Sequence, residues 1–179
     1  RLVYLDGTGL QQVSNITLTG TTPVNLGTGF SYFQWMETSA FGGAGLVAAG
    51  NISITSTNGA ATEATSHLLI TAGGNRSLDG KYRVPTGKTA YAIHWSGSAI
   101  NQAMDTRLRA TVYADDRVAS PGIYHYQDKL YLAATVESVS DLHYLKYPAG
   151  VDIKVSVFPA ATTSSPRIDA SFDLLLIDN

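Results

Sequence analysis

The feature that most constrains this chain is a two-residue alternation of apolar and polar side chains, broken at short intervals by turn-forming residues. "ISITST" (52–57) sets Ile52 and Ile54 on one side and serine and threonine on the other. "TRLRATVYA" (106–114) opposes Leu108, Ala110 and Val112 to Arg107, Arg109 and Thr111. "DIKVSVF" (152–158) opposes Ile153, Val155 and Val157 to Lys154 and Ser156. Successive strand side chains point to opposite faces, so each segment reads as a half-buried β-strand. Between them fall Asp6-Gly7, Asn58-Gly59, Gly73-Gly74-Asn75, Asp79-Gly80, Pro121-Gly122, Pro148-Ala149-Gly150 and Ser165-Pro166, all of which favour turns. About ten short strands punctuated in this way predict an all-β fold, an antiparallel β-sandwich of jelly-roll-like kind with little helix. Two segments depart from the alternation. Residues 98–104 suit a helical turn, and 133–142, with Val136, Val139 and Leu142 spaced by three, suit a short helix or a loop and turn. The closing "ASFDLLLIDN" is apolar enough to predict a strand inside the sheet, with Asp173 and Asp178 as charged gatekeepers against edge pairing.

A length of 179 residues fits a single domain over 1–179. The chain has no cysteine, which excludes disulfides, thiolate metal sites and a cysteine nucleophile. A net charge of −2 supplies no electrostatic basis for binding nucleic acid or anionic lipid, so neither is expected as a partner. No run reaches the roughly 18 apolar residues of a membrane-spanning helix. The distribution of charge says more than its sum. Residues 1–75 carry Arg1, Asp6, Glu37 and Glu63 alone, which leaves 22 of the 26 charged side chains for 76–179. The first part is therefore expected to be rich in subunit contacts, or to present a polar uncharged surface, and 76–179 to form the main part of the sandwich.

Candidate sites are few. In "YRVPTGKTAYAIHW" (82–95), Gly87-Lys88-Thr89 has the look of a phosphate-binding loop's end, but the first glycine of that motif would fall at position 82, which is Tyr82. The residues after Thr89 are aromatic and β-branched, as in a strand, and do not make a helix whose N-terminus could receive an anion. The segment reads as a tight turn with Lys88 facing solvent. His67, His94, His125 and His143 show no metal-ligand spacing, and His94 and His125 read as satisfied or exposed strand histidines. Asp115-Asp116 reads as an acidic turn in preference to a Ca²⁺ site, and Asp105, Asp115, Asp116 and Glu137 form no glycosidase signature. No serine lies in a G-x-S-x-G elbow. The chain is thus expected to have no catalytic residues, no metal and no cofactor. One stretch stands out instead. "FSYFQWMETSAF" (30–41) concentrates Phe30, Tyr32, Phe33, Trp35 and Phe41. Strict alternation places Phe30, Tyr32 and Gln34 on one face and Ser31, Phe33, Trp35 and Glu37 on the other. Aromatic side chains on both faces mean a strand covered twice, by one core or by a core and an interface, and these five are the candidate interface residues.

The segments "RLVYLDGTG", "ITLTGTTPV", "GAGLVAAGNISIT", "YRVPTGKTAYAIHWSGS", "MDTRLRA", "GIYHYQDKLYL", "VDIKVSVF" and "ASFDLLLIDN" together resemble a group of tailed-phage virion structural proteins, of the kind found in marine and cyanobacterial phages. The resemblance runs over residues 1–57 and 80–179, and "VPTGKTAY" and "SFDLLLIDN" are its most specific parts. It implies a β-sandwich located on the virion surface, with "VPTGKTAY" as a hairpin hinge. Its partners would be copies of itself, as a trimer, and the major capsid protein or other virion proteins. The implied function is capsid decoration or cementing without enzymatic activity. The alternative is a tail-fibre or spike module that recognises a host glycan or receptor.

Overall fold

A computed structural model describes residues 1–40, 47–56, 65–100, 104–110, 125–132, 137–141, 145–159 and 167–179. Every regular element among them is a strand, and every pairing is antiparallel. The all-β class expected from the alternation is therefore the class observed. Among the described residues the strands number thirteen, in keeping with the many short strands expected. The chain divides into two compact units, Arg1–Asp79 and Gly80–Asn179.

The first unit contains β1 (Leu2–Asp6), β2 (Gln11–Ser14), β3 (Phe30–Met36), β4 (Ile52–Ser56) and β5 (Thr65–Ile70). β1 is the middle of a three-stranded sheet, with β2 and β3 on its two sides, while β4 and β5 pair with each other. The β1–β2 connection is built on Asp6. Its carboxylate accepts hydrogen bonds from the Thr8 N–H (2.9 Å), the Thr8 hydroxyl (2.6 Å), the Leu10 N–H (3.1 Å) and the Gln12 amide (2.8 Å). A short acidic side chain can cap the turn it begins in this way. Leu2 and Met36 from the three-stranded sheet meet Ile54, Leu68 and Ile70 from the β4–β5 pair in one core. Ser77 closes the end of β3: its hydroxyl accepts from Met36 N–H (3.0 Å) and its own N–H donates to the Met36 carbonyl (2.9 Å).

The second unit holds β6 (Lys81–Arg83), β7 (Lys88–Ile100), β8 (Met104–Ala110), β9 (His125–Leu132), β10 (Glu137–Asp141), β11 (Leu145–Tyr147), β12 (Asp152–Pro159) and β13 (Arg167–Asp178). One sheet runs β6-β12-β8-β9. The other is organised by β7, which pairs with β11 and β10 along one side and with β13 along the whole of the other. Ala90, Ala92, Trp95 and Tyr147 from the second sheet share a core with Val84, Val151 and Ile153 beside β6 and β12. The residue at position 80 lies so close to β12 that a Cβ there would come within 2.6 Å of the Val155 side chain, so only glycine fits.

Three expectations are corrected here. First, among the described residues of 98–104 and 133–142, residues 98–100 continue β7, Met104 opens β8 and Glu137–Asp141 is β10, so these parts are strand and not helix. The backbone groups there are committed to neighbouring strands, with Ser98 opposite both Ser138 and Asp169. Second, "VPTGKTAY" is no hairpin hinge. Lys88 N–H closes a turn onto the Pro85 carbonyl (3.1 Å), with Gly87 at φ +79°, and this turn carries the chain from β6 in one sheet to β7 in the other. Lys88 is the first residue of β7 and pairs with Asp178. Third, among the described residues β13 lies at the edge of its sheet and not inside it: it pairs with β7 alone, and Leu175, Leu176 and Ile177 are 50%, 37% and 47% exposed. Phe172 and Leu174 do pack on the core.

Between β6 and β12, Arg83 forms a two-bonded pair with Asp152, Nε to Oδ1 at 2.5 Å and Nη2 to Oδ2 at 2.8 Å. The Asp152 side chain is 10% exposed, so its charge is tolerated because it is paired. Arg83→Ala should destabilise the protein by about 2–4 kcal/mol, somewhat below the cost of breaking a fully buried pair, because the guanidinium is partly hydrated. Urea unfolding checks this, and an unchanged midpoint would show that water replaces the arginine.

Candidate functional site

The aromatic strand β3 departs from simple alternation because its pairing with β1 is bulged twice. Val3 opposes Trp35 while Tyr4 opposes Phe33, which leaves Gln34 as an extra residue. Leu5 opposes Tyr32 while Asp6 opposes Phe30, which leaves Ser31 as a second. Each extra residue reverses the facing of those beyond it. Phe30 and Phe33 therefore stack at 5.2 Å on the same side, where strict alternation had separated them. Tyr4 meets Phe30 at 4.6 Å and His67 meets Phe33 at 5.3 Å, so this row runs along the core formed with β4 and β5. Tyr32 and Trp35 take the opposite side with Leu5 and Val3. Ser31 holds its bulge in place by donating to the carbonyls of Asp6 (2.6 Å) and Leu5 (3.2 Å). Phe41 lies outside the described residues.

Trp35 is half-buried and carries two cations. The Arg76 guanidinium lies 4.6 Å from its ring centroid and that of Arg1 5.7 Å. Arg1 is also paired with Glu37 at 3.1 Å. A guanidinium over an indole face is attracted by the ring quadrupole, so Trp35 is anchored from within the first unit. Beside β1, an open recess of about 350 Å³ is lined by Leu2, Ile16, Val24, Leu26 and Phe30 together with Ser14, Asn15, Thr17 and Asn25, so its wall is as polar as it is apolar.

The other singled-out residues fall apart in space. His94 Nδ1 lies 3.2 Å from the Asp173 carboxylate on the neighbouring strand, and the Ser96 and Ser171 hydroxyls meet at 3.0 Å nearby along the same two strands. The backbones of Asp105, His125 and Glu137 belong to β8, β9 and β10, and Asp115, Asp116 and His143 lie outside the described residues. Among the described residues no three His, Asp or Glu side chains form a metal-binding group. The glycine-lysine-threonine sequence makes no phosphate cradle: Lys88 is engaged by Asp178, and the Thr89 hydroxyl donates to the Asn179 side chain at 2.5 Å. Burial raises the Tyr82 phenol to about 12, which keeps it protonated.

Sequence reasoning passed over the surface that β13 presents. The signal was available in "RIDASFD", where Ile168, Ala170 and Phe172 alternate with Asp169, Ser171 and Asp173, the pattern of a strand with one wet face. Comparison with protein-family models, curated proteins and solved structures returns no match for the chain.

The Asp6 turn has a titration signature. Its bonds, the Thr8 hydroxyl first and the Gln12 amide second, hold the carboxyl down to about 2 from an ordinary 3.8. A carboxyl depressed on folding contributes stability fully above its unfolded value and loses it as pH falls through the folded one. The melting temperature should therefore decline between about pH 4 and 2, and Asp6→Asn should flatten that decline. An identical acid profile in the variant would assign the loss to other groups.

Proposed function

We propose that the chain is a non-enzymatic structural protein of a bacteriophage particle. It decorates or cements the capsid by surface complementarity and works there as a homo-oligomer on a β-sandwich scaffold. The observation that carries this reading is the surface of the first unit. Leu10, Val13, Leu18, Val24, Val47 and Leu69 are all exposed. Its charges are largely spent on its own structure: Arg1 pairs with Glu37, Asp6 is bound in its turn, and Arg76 rests on Trp35. A surface with exposed apolar side chains and few available charges has the composition of an interface core. The resemblance of the sequence to virion structural proteins supplies the setting, and with it the trimer and the capsid protein as partner. Closed symmetry is the general rule for such assemblies.

The alternative, a tail-borne module that recognises a glycan or receptor, draws on aromatic platforms. Trp95 is fully buried and Trp35 has Arg76 over its ring, so neither indole is an open platform. That favours the structural reading.

Leu18→Asp should leave folding within about 0.5 kcal/mol of the parent, since the residue is exposed, while abolishing oligomers seen by light scattering. Quantitative mass spectrometry of purified particles then separates the readings. Copies in the hundreds support a shell protein, a handful per particle a tail module, and absence from particles overturns both.

A further inference from the structure

We propose that the outer edge of β13 is a self-association site, through which two copies of this chain pair antiparallel about a two-fold axis at Leu175. The site involves the second unit alone and does not depend on the virion reading.

The backbone supplies the first part. The Asn179 N–H donates to the Gly87 carbonyl at 3.0 Å, in line with the pairs Asp178–Lys88 and Ile177–Thr89. In an antiparallel ladder the bonds to one neighbour recur at every second residue. Ile177 and Leu175 therefore address β7, and Leu174, Leu176 and Asp178 turn their N–H and C=O groups to the other edge. No proline interrupts β13. An edge of this kind is a template for another strand.

The side chains supply the second. Leu175 and Ile177 share one face, Leu176 lies on the other, and all three are exposed. The aspartates stand at the two ends of the run, Asp178 paired with Lys88 and Asp173 beside His94. The uncharged stretch between them suits an uncharged apolar strand, and the run Leu174–Ile177 is itself such a strand.

Charge also sets direction. Parallel in-register pairing would lay Asp173 on Asp173 and Asp178 on Asp178. Antiparallel pairing about Leu175 places Leu174 opposite Leu176, Leu175 opposite its own copy, Asp173 opposite Ile177 and Asp178 opposite Phe172. No carboxylate then faces another. The two copies of Leu175, the most exposed residue of the run, meet where cross-strand side chains lie closest. Three exposed side chains are a small patch against the roughly 800 Å² per partner of a standard interface. The pair is accordingly weak in dilute solution and strengthened wherever copies are held close together on a common surface.

Sedimentation of the wild type from micromolar to millimolar concentration should show a reversible dimer. Leu175→Lys and Leu175→Glu each place like charges across the axis and should weaken association about tenfold. An equimolar mixture of the two should recover it, because lysine then faces glutamate. Amide exchange on the wild type is independent of whether these variants fold. Raising the concentration should protect the amides of Leu174, Leu176 and Asp178 and leave those of Leu175 and Ile177 unchanged. A wild type that stays monomeric at millimolar concentration, folded variants whose mixture fails to recover association, or dimers without that alternating protection would each overturn the proposal.

Discussion

The twelve-residue ladder between β7 and β13 is the constraint on which the second unit depends. β7 is the shared strand of its sheet, and a single irregularity in its pairing decides what faces inward. Asp173 opposes His94 and Leu174 opposes Ala92, so Ile93 is an extra residue. Before it, Ala90 and Ala92 point into the core; after it, Trp95 and Gly97 do. Without the bulge one strand of this length could not keep both sets buried, because strict alternation would turn one of them to water. The same shift carries His94, Ser96 and Asp173 together on the outer face, with Leu175 and Ile177 further along β13.

The first unit uses the same device on a shorter sheet. Two bulges in β3 bring Phe30 and Phe33 onto the core side with Tyr4 and send Tyr32 and Trp35 to the other. The Ser31 hydroxyl ties the bulge to β1 through the Asp6 carbonyl, which also accepts from Gly9 N–H, and through that of Leu5. An aromatic-rich strand becomes two half-strands with different duties: one row fills the core, the other meets arginine. Both units therefore position their surfaces by local breaks in register.

The strands and turns were legible because alternation and glycine or proline punctuation are local properties. "DIKVSVF" lies in β12 and "ISITS" is β4 for reasons contained in their own residues. The bulges were not legible. Nothing in "FSYFQWM" says that Gln34 and Ser31 lack opposite residues on β1, since a bulge is a relation between two strands and its partner lies a loop away. The apolar run Leu174–Ile177 reads as an interior strand for a similar reason: periodicity reports how many faces are apolar, not how many neighbours a strand has. Lys88 shows the reverse case. Its neighbours suggested a solvent-facing turn residue, while its partner, Asp178, comes from the far end of the chain. The surface of β13 was visible only in the half that still alternates.

The faces of β13 are fixed only if it docks on β7 in one register, because a one-residue slip would exchange them. The chain contains no cysteine, so an introduced pair reports this without interference. Ser96→Cys with Ser171→Cys places thiols where two hydroxyls now meet at 3.0 Å, and Ser96→Cys with Phe172→Cys places them on opposite faces. Disulfide formation under mild oxidation, read by mass spectrometry, should be rapid and near complete in the first and slow in the second. Equal trapping of both, or preferential trapping of the second, would contradict the register and with it the surface assigned to β13.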